Sequence, residues 1–340
     1  MDIKEITDRK DWDAFVESTP DFTFLQGWSW GEFNRARGER VWRWGIYDKG
    51  ELAGVCQTVS IAARRGSFLF VPHGPLSKTG AVGSMLPLVV AKLTQTARAA
   101  ECAFIRISPW LEATKENQLL FSQLGFRSAP SYMHAEETWL LPLEADAETL
   151  LKEMRKTTRN LISRAERDGV EIVRSNSISD LQILLDLQAK TAERHKFVPF
   201  SDAYLKTEFE IFSRNGEAML FLGKHNGIIS SAAIIIFFGH RAFYFQSGSV
   251  KADAPVSYLL QWEVIKEAKR RDCTLYNLWG VAPEDKPHHE WTGLTTFKSG
   301  FGGYRKNYMH AVDLPLTKKY WISYVIEKMP RALRALFAKT

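Results

Sequence analysis

The residues of this chain that could do chemistry on a substrate lie near its C-terminal end, in a lysine placed among phenylalanines and glycines. The stretch FKSGFGG runs from Phe297 to Gly303. Clustered glycines such as Gly300 let a backbone approach a ligand closely, and a lysine between Phe297 and Phe301 would lie in a partly dry place. A cation stabilises developing negative charge better there than in water, so Lys298 is a candidate electrostatic catalyst. The alternative is a glycine-rich strand bend with a surface lysine.

The approach to this motif is predicted to be a strand followed by a polar loop. An apolar strand is expected from Thr274 to Leu278, and the chain breaks at Trp279-Gly280. The loop that leads from there to Lys298 carries the cluster His288-His289-Glu290. This cluster lacks the spacing of HExxH or a similar metal motif and is more typical of a solvated loop. We therefore expect no metal.

A cationic helix is predicted in the middle of the chain, from Ala147 to Asp168, with Gly169 as its stop. Its basic residues at i, i+3, i+4 and i+7 would form one contiguous face. They are Lys152, Arg155, Lys156 and Arg159. Such a face is often only solvated. Because Glu153 is the one acid within a turn, a polyanionic partner is the sharper hypothesis.

The same order of elements occurs twice along the chain, as two strands of a hairpin, a further strand, a helix and a last strand. In the first pass the two hairpin strands are predicted at Val41 to Tyr47 and Leu52 to Ile61, the helix at Gly83 to Ala100, and the last strand at Phe104 to Ile107. In the second pass the two hairpin strands are predicted at Ala218 to Gly223 and Ile228 to Phe238, the helix at Val256 to Arg271, and the last strand at Thr274 to Leu278. Cys102 and Cys273 fall at equivalent places. This duplicated order predicts an α+β fold of two tandem modules that resemble N-acetyltransferases of the GNAT type.

The usual acyl-CoA fingerprint of such modules is missing from both halves. Neither HGPLSKTGAVG nor SGSVKADAPV, which precede the two central helices, fits the pattern Q/R-x-x-G-x-G/A. Without those backbone donors at a helix N-terminus, the pyrophosphate of coenzyme A has no evident cradle. The sequence therefore disfavours an ordinary acetyltransferase.

Composition sets wider limits on function. The chain has 340 residues, enough for two domains, with 45% hydrophobic residues and a net charge of +6. The positive balance suits an anionic partner, whether nucleic acid, a phosphorylated substrate or an anionic membrane face. The charged N-terminus lacks the apolar core of a signal peptide, and three widely spaced cysteines match no disulfide framework. We expect a cytoplasmic protein.

The last stretch, Thr317 to Thr340, is predicted as a basic amphipathic helix or helix pair. Its apolar positions are Trp321, Ile322, Tyr324, Val325, Met329, Leu333, Leu336 and Phe337. Its charges are Lys318, Lys319, Lys328, Arg331, Arg334 and Lys339. The apolar side could pack on the first module. Peripheral contact with an anionic membrane is the other reading.

Several stretches, in this order and over essentially the whole chain, resemble the FemABX family of peptidoglycan aminoacyltransferases. They are FTFLQGWSWGEF, RKTTRNLISRAERDGVEI, TAERHKF, FYFQSGS, YNLWGV and FKSGFGG. The resemblance implies tandem GNAT-like modules that use aminoacyl-tRNA as co-substrate, without a cofactor. It implies transfer of an amino acid to a side-chain amine of the cell-wall stem peptide, on a nucleotide-linked or lipid-linked precursor.

The resemblance also implies roles for individual residues in the aminolysis of an ester. Lys298 matches the family's lysine near the reacting ester and would stabilise the oxyanion. Phe297, Gly300 and Phe301 would contact the aminoacyl-tRNA, together with the cationic segment from Lys152 to Arg159. Tyr204 and Tyr258 match tyrosines that the family places around the substrate.

This sequence departs from the family pattern where a UDP-linked precursor is held. The lysine and arginine that bind the diphosphate correspond here to Asn34 and Phe200, and an acid of the first module corresponds to Ser108. The cations Arg35, Arg37 and Arg194 lie nearby in the sequence and could substitute. These departures favour a lipid-linked precursor.

We predict a first module from residues 1–146 plus 314–340, and a second module from residues 147–313 that carries most of the active site. Two other functions stay open. One is an N-acyltransferase of the same fold that uses acyl-CoA or another donor. The other is a non-catalytic scaffold that binds tRNA or membrane precursors.

Overall fold

The computed structural model describes residues 1–62, 66–195 and 198–329. The chain divides into two compact units. Unit 1 comprises Met1–Glu136 and the segment that begins at Asn307, and unit 2 comprises Glu137–Lys306. Elements are numbered below in chain order.

Unit 1 is a mixed sheet covered by helices, with a short 3-10 helix at Phe24–Gln26. Its helices are α1 (Arg9–Ser18), α2 (Trp28–Ala36), α3 (Leu86–Ala99), α4 (Lys115–Gln123) and α11 (Tyr320–Lys328). Its strands are β1 (Asp2–Glu5), β2 (Val41–Asp48), β3 (Glu51–Ile61), β4 (Phe68–Pro72), β5 (Leu76–Ser77), β6 (Phe104–Ser108), β7 (Arg127–Ser128) and β15 (Val312–Pro315). The strand order is β1-β2-β3-β4-β6-β15-β7, and β5 pairs with β3.

Unit 2 has a similar plan. Its helices are α5 (Ala147–Glu153), α6 (Lys156–Arg167), α7 (Leu181–His195), α8 (Asp202–Arg214), α9 (Val256–Arg270) and α10 (Thr292–Ser299). Its strands are β8 (Glu137–Pro142), β9 (Glu171–Ser175), β10 (Ala218–His225), β11 (Ile228–Phe238), β12 (Arg241–Ser249), β13 (Leu275–Gly280) and β14 (Tyr304–Asn307). The strand order is β14-β8-β13-β12-β11-β10-β9.

The duplicated order read from the sequence is present in both sheets. In each unit a long antiparallel hairpin, β2-β3 or β10-β11, is followed by a strand, a helix and a parallel partner strand. Both central helices end in the same way, because Glu101 and Asp272 take positive φ values of 55° and 56° just before Cys102 and Cys273. The GNAT-like α+β expectation is confirmed.

The boundary between the units differs from the predicted one. Strand β8, which the sequence analysis assigned to the first module, pairs with β13 through Leu141 and Tyr276 and so belongs to unit 2. Unit 1 resumes at Asn307 rather than at residue 314. The pattern of β8 is that of any half-buried strand, and its partner is fixed only by tertiary pairing.

The predicted C-terminal helix is partly described. Helix α11 packs its inner face on unit 1, where Tyr320 is fully buried and lies edge-on to Phe104 at 5.2 Å between ring centroids. The predicted residues from Arg331 to Lys339 lie outside the described residues. No helix in the described part of the chain is long and apolar enough to cross a membrane.

Candidate active site in the second unit

The candidate site lies where two parallel strands of unit 2 diverge. Strands β12 and β13 pair over Arg241–Phe243 and Leu275–Asn277. Beyond that point β12 continues beside β11, whereas β13 continues beside β8 as far as Gly280. The carboxyl ends of parallel strands are where open sheets of this kind receive ligands. The divergence therefore creates a natural place for a substrate.

A bulge at the end of β13 shapes this place. The pairing with β8 shifts between Asn277 and Gly280, and Trp279 takes a φ of 65°. The Trp279 N–H donates to Asn277 Oδ1 at 2.8 Å, and the indole lies edge-on to Phe245. A positive φ at a tryptophan is strained, so these contacts are needed to hold it. The carbonyl of Gly280 is left to accept a bond from outside the sheet.

Lys298 supplies that bond. It lies in the last turn of α10, which is tied to the end of β13 because the Ala282 N–H donates to Thr295 Oγ1 at 2.8 Å. Lys298 Nζ donates to the Gly280 carbonyl at 2.7 Å and lies 5.6 Å from the centre of the Tyr244 ring. The ammonium thus lies between the diverging strands. The sequence pattern predicted a polar loop that ends at Lys298; this prediction is wrong, because α10 forms there.

The electrostatics of this lysine are unusual. It is only 4% exposed, and burial lowers the pKa of Lys298 to about 7. No carboxylate within the described residues forms an ion pair with it. An ammonium has three N–H donors, and one is used on Gly280. The other two can meet an anion that forms in the site.

Aromatic side chains of α9 and of the FKSGFGG segment pack against one another. Tyr258, from α9, contacts Phe297 and Phe301, with ring centroids 5.1 and 6.0 Å apart. Phe301 is buried in the core that α9 shares with the sheet. Phe297 is only partly buried and can still be reached. Of the residues predicted to contact tRNA here, Phe301 therefore acts as packing.

Gly300 serves close packing between α10 and α6. A Cβ at Gly300 would lie 2.4 Å from Thr158 Oγ1, so only glycine fits without a shift. The Gly300 carbonyl accepts the Arg155 N–H at 2.9 Å. This contact holds the helix that carries Lys298 against the start of α6.

The predicted continuous cationic face is wrong, because the helix from Ala147 to Asp168 is broken at Met154-Arg155. Arg155 instead donates to Thr296 O and Ser299 Oγ of α10. Arg159 folds back on the carbonyls that end α5, those of Lys152 and Met154.

The two lysines of that set remain at the surface. Lys152 pairs with Glu148 one turn earlier at 2.7 Å, so the expectation that Glu153 is the one acid within a turn is wrong. Lys156, in the first turn of α6, is exposed. Of the four predicted cations, Lys156 is therefore the one most available to a polyanion.

Two predicted substrate residues of unit 2 belong to helices other than α9 and α10. Arg194 and Tyr204 belong to α7 and α8, and α7 packs on the sheet face that carries Gly248. Helix α9 covers the opposite face, where Ser257 donates to Ser231. Tyr204 stacks on Phe200 with ring centroids 4.3 Å apart. The structure brings Tyr258 to Phe297 and Phe301, which flank Lys298 in the sequence, whereas Arg194 lies on α7 and Tyr204 on α8.

The predicted residues of unit 1 are mostly committed to local structure. Asn34 is buried and donates to the Trp30 carbonyl of its own helix, which argues against the substrate contact predicted for it. Arg35 pairs with Glu32 at 3.1 Å. Arg37 lies over the Phe33 ring.

Ser108 differs from these residues. It ends β6, the parallel partner of β4, and is buried. Its hydroxyl has no hydrogen-bond partner among the described residues. Ser108 thus lies at the carboxyl end of a parallel strand in unit 1, as Gly280 does in unit 2.

Sequence reasoning missed several residues that build the site. Tyr244 lies in FYFQSGS, a stretch that was recognised without a role being assigned. The Gly280 carbonyl and the indole of Trp139, which donates to Gly302 O at 2.6 Å, left no signal at all. Backbone acceptors cannot be read from residue types.

No group of three or more histidines, cysteines or acids in the described chain could hold a metal ion. His288 and Glu290 are exposed in the loop before α10, and the His289 ring accepts the Trp291 N–H. The arrangement in unit 2 is a buried lysine that forms no ion pair with a carboxylate of the described residues. Its chemical capacity is to stabilise negative charge.

Comparison with known proteins places the chain among aminoacyl-transferring relatives. It is 21% identical to a lipid II:glycine glycyltransferase of Staphylococcus epidermidis, over 98% of this chain and 97% of that protein. It is 22% identical to the enzyme of the same name from Staphylococcus haemolyticus, over 98% and 97%.

Solved structures show the same fold. The crystal structure of FemX matches with a TM-score of 0.84 at 20% identity, over 96% of this chain and all of that one. A tandem GNAT protein from the clavulanic acid biosynthesis pathway matches with a TM-score of 0.57 at 12% identity, over 92% and 98%. The profile of the FemAB family matches residues 7–123, 131–227 and 222–328. The chain therefore belongs to the FemAB family.

Proposed function

We propose that this protein is an aminoacyltransferase that moves an amino acid from aminoacyl-tRNA to an amine of a peptidoglycan precursor stem peptide. The observation that carries the proposal is the buried ammonium of Lys298 at the divergence of β12 and β13. Relatives that match this chain over nearly their full length are named lipid II:glycine glycyltransferase.

The reaction needs little beyond positioning and charge stabilisation. A neutral acceptor amine attacks the ester carbonyl of the donor, which forms the new C–N bond and places negative charge on the carbonyl oxygen. The C–O bond to the ribose then breaks, and the amine proton passes to the leaving ribose oxygen, directly or through a substrate phosphate. Two free N–H groups of protonated Lys298 can stabilise the oxyanion in this dry place.

The donor is proposed to be aminoacyl-tRNA rather than acyl-CoA. Helix α9 starts at Val256 after Pro255, with no side-chain cap, and Val256 Cγ1 lies against Gly223. The chain before α9 has none of the clustered glycines that cradle a pyrophosphate. Exposed Lys156 and partly exposed Phe297 are instead available for a backbone phosphate and a base.

The acceptor is proposed to be the lipid-linked precursor. Asn34 and Phe200 stand where a UDP-binding relative would have cations, and Asn34 is bonded to its own helix. The relatives' names include lipid II. We place the reaction in the cytoplasm, at the inner face of the membrane.

A donor and acceptor test decides between these possibilities. A pool of labelled amino acids charged on tRNA is offered together with lipid-linked and UDP-linked precursors. Label on the lipid-linked precursor is the expected result. Label on the UDP-linked form alone would contradict the proposed acceptor. No transfer to either, with thermal protection by acyl-CoA, would contradict the proposed donor.

A further inference from the structure

Helix α11 is fixed to unit 1 by one of its faces. The Tyr320 hydroxyl donates to buried Asp313 at 3.3 Å, and Asp313 forms a two-bond pair with Arg106. Glu327 lies 3.0 Å from the same arginine. These inward residues recur at helical spacing, so the helix cannot roll without breaking a buried network.

The opposite face of α11 carries large apolar side chains in solvent. Trp321 is 45% exposed, Ile322 58% and Val325 54%. At 3.6 residues per turn these three positions fall within about 100° of one another, on the side away from Tyr320 and Glu327. Burying Ile322 or Val325 by any rotation of the helix is excluded by the network. The face is therefore built to be exposed or covered by a partner.

Basic residues surround these apolar side chains. Lys318 and Lys319 precede the helix and Lys328 ends it, all exposed. Arg127, from strand β7, lies over the Trp321 ring at 4.7 Å. Glu327 is the single acid in the sequence from residue 314 to the end, and it is paired with Arg106. The outer face of α11 thus combines large exposed apolar side chains with a surrounding rim of positively charged lysines.

We propose that this outer face of α11, built from Trp321, Ile322 and Val325 with a rim of Lys318, Lys319 and Lys328, docks the protein on an anionic lipid bilayer. Apolar side chains would enter the boundary of the acyl chains, an indole suits the headgroup level, and the lysines meet anionic headgroups. RNA would meet the lysines but would leave Ile322 and Val325 in water. The proposal goes beyond aminoacyl transfer and does not depend on the donor.

Binding of the full chain to vesicles, without either substrate, tests it. Vesicles of phosphatidylcholine with and without phosphatidylglycerol are sedimented with the protein. We expect binding to the anionic vesicles that weakens with salt and is much lower on neutral ones. Ile322→Glu with Val325→Glu should lower the partition coefficient at least about tenfold. Lys318→Gln should lower it about fivefold.

The matched control is Ile228→Glu, which changes an isoleucine 69% exposed at a hairpin end of unit 2 and should bind like the unchanged protein. Because all substituted positions are exposed, the variants should melt at the same temperature. If the double glutamate variant melts lower, the Ile322→Ser and Val325→Ser pair replaces it.

Three results would overturn the proposal. They are no binding to anionic vesicles, equal binding to neutral ones, and unchanged binding of the double variant. A chain that ends at Met329 separates α11 from the sequence that follows. In that chain the double variant must still lower binding; if truncation alone abolishes binding, the contact lies after residue 329.

Discussion

Lys298 is a charge that the fold desolvates, and no carboxylate of the described residues forms an ion pair with it. Leaving an ammonium in such a place destabilises the folded protein, and it lowers the pKa of Lys298 to about 7 by burial. Lysines are almost never fully buried unless another charged group pairs with them. The proposed role of Lys298 explains the arrangement better, because the substrate would then supply the missing negative charge.

The pH dependence of transfer should report this lysine. Its pKa is lowered, so the free enzyme loses the charge as pH rises through about 7. The acceptor amine titrates too, so kcat/KM is divided by that of Lys298→Arg, which stays charged. This ratio should be constant below the pKa and fall about tenfold per pH unit above it. A ratio independent of pH across this range would contradict the role of the charge.

The sequence could indicate the lysine but not its partners. A lysine flanked by phenylalanines in FKSGFGG predicted a partly dry place, with a surface lysine as the alternative, and Lys298 is buried in the structure. Gly280 accepts from Lys298 through its carbonyl, and that carbonyl is available because Trp279 is held at positive φ. No residue type encodes either fact.

At the scale of elements, the start of α6 connects the exposed Lys156 with α10, the helix that carries Lys298. Residue spacing predicted an unbroken helix because no glycine or proline interrupts it. The break at Met154-Arg155 arises because Arg155 bonds to Gly300 and Ser299 of α10, a tertiary contact that overrides local propensity. Neighbouring residues should therefore differ in function.

Substitutions at Arg155 and Lys156 test this difference. Lys156→Glu should weaken tRNA binding and flatten its salt dependence, with a slope change of about one per lost phosphate contact, while the transfer rate at saturation is kept. Arg155→Ala should lower the saturated rate at least about tenfold, because α10 loses an anchor. Binding titrations and single-turnover rates separate the two effects. Equal behaviour of the two variants would contradict the division.

The turn after α10 makes a stability prediction with a matched control. Gly303 and Gly227 have φ values of 79° and 80°, but a Cβ at Gly303 would lie 2.1 Å from the Leu140 carbonyl oxygen, whereas that at Gly227 meets nothing within 4 Å. Gly227→Ala should cost about 1–2 kcal/mol of unfolding free energy from strain alone. Gly303→Ala should cost about 1–3 kcal/mol more. Denaturant titration measures both, and equal losses would refute the close approach.

At the scale of the whole molecule, the duplication was the strongest signal in the sequence. Each half of the sequence has a hairpin turn, at Lys49-Gly50 or Asn226-Gly227, and a strand-helix-strand passage. In the structure these elements form two sheets with the same strand order. The unit boundary could not be read in the same way. Strand β8 precedes the second pass, and only its pairing with β13 assigns it.

The C-terminal segment is integral to unit 1, which a truncation series can show. A chain ending at Leu316 loses fully buried Tyr320 and the pairing of Glu327 with Arg106. Loss of a buried aromatic side chain alone is worth about 3–5 kcal/mol, so the melting temperature should fall by about 10 °C or more. A chain ending at Met329 keeps these contacts and should melt at a higher temperature than the chain ending at Leu316. Equal melting of both truncations would contradict the packing of α11.

The most direct test of the whole account is the single-turnover transfer rate of Lys298→Ala, measured with charged tRNA and the lipid-linked precursor beside the dissociation constant for tRNA. Lys286→Ala, which changes an exposed lysine in the loop before α10, is the control. We predict that Lys298→Ala slows transfer by about two to three orders of magnitude, the usual effect of losing one oxyanion donor, with tRNA affinity and the control unchanged. A transfer rate equal to that of the unchanged protein would remove Lys298 from the mechanism.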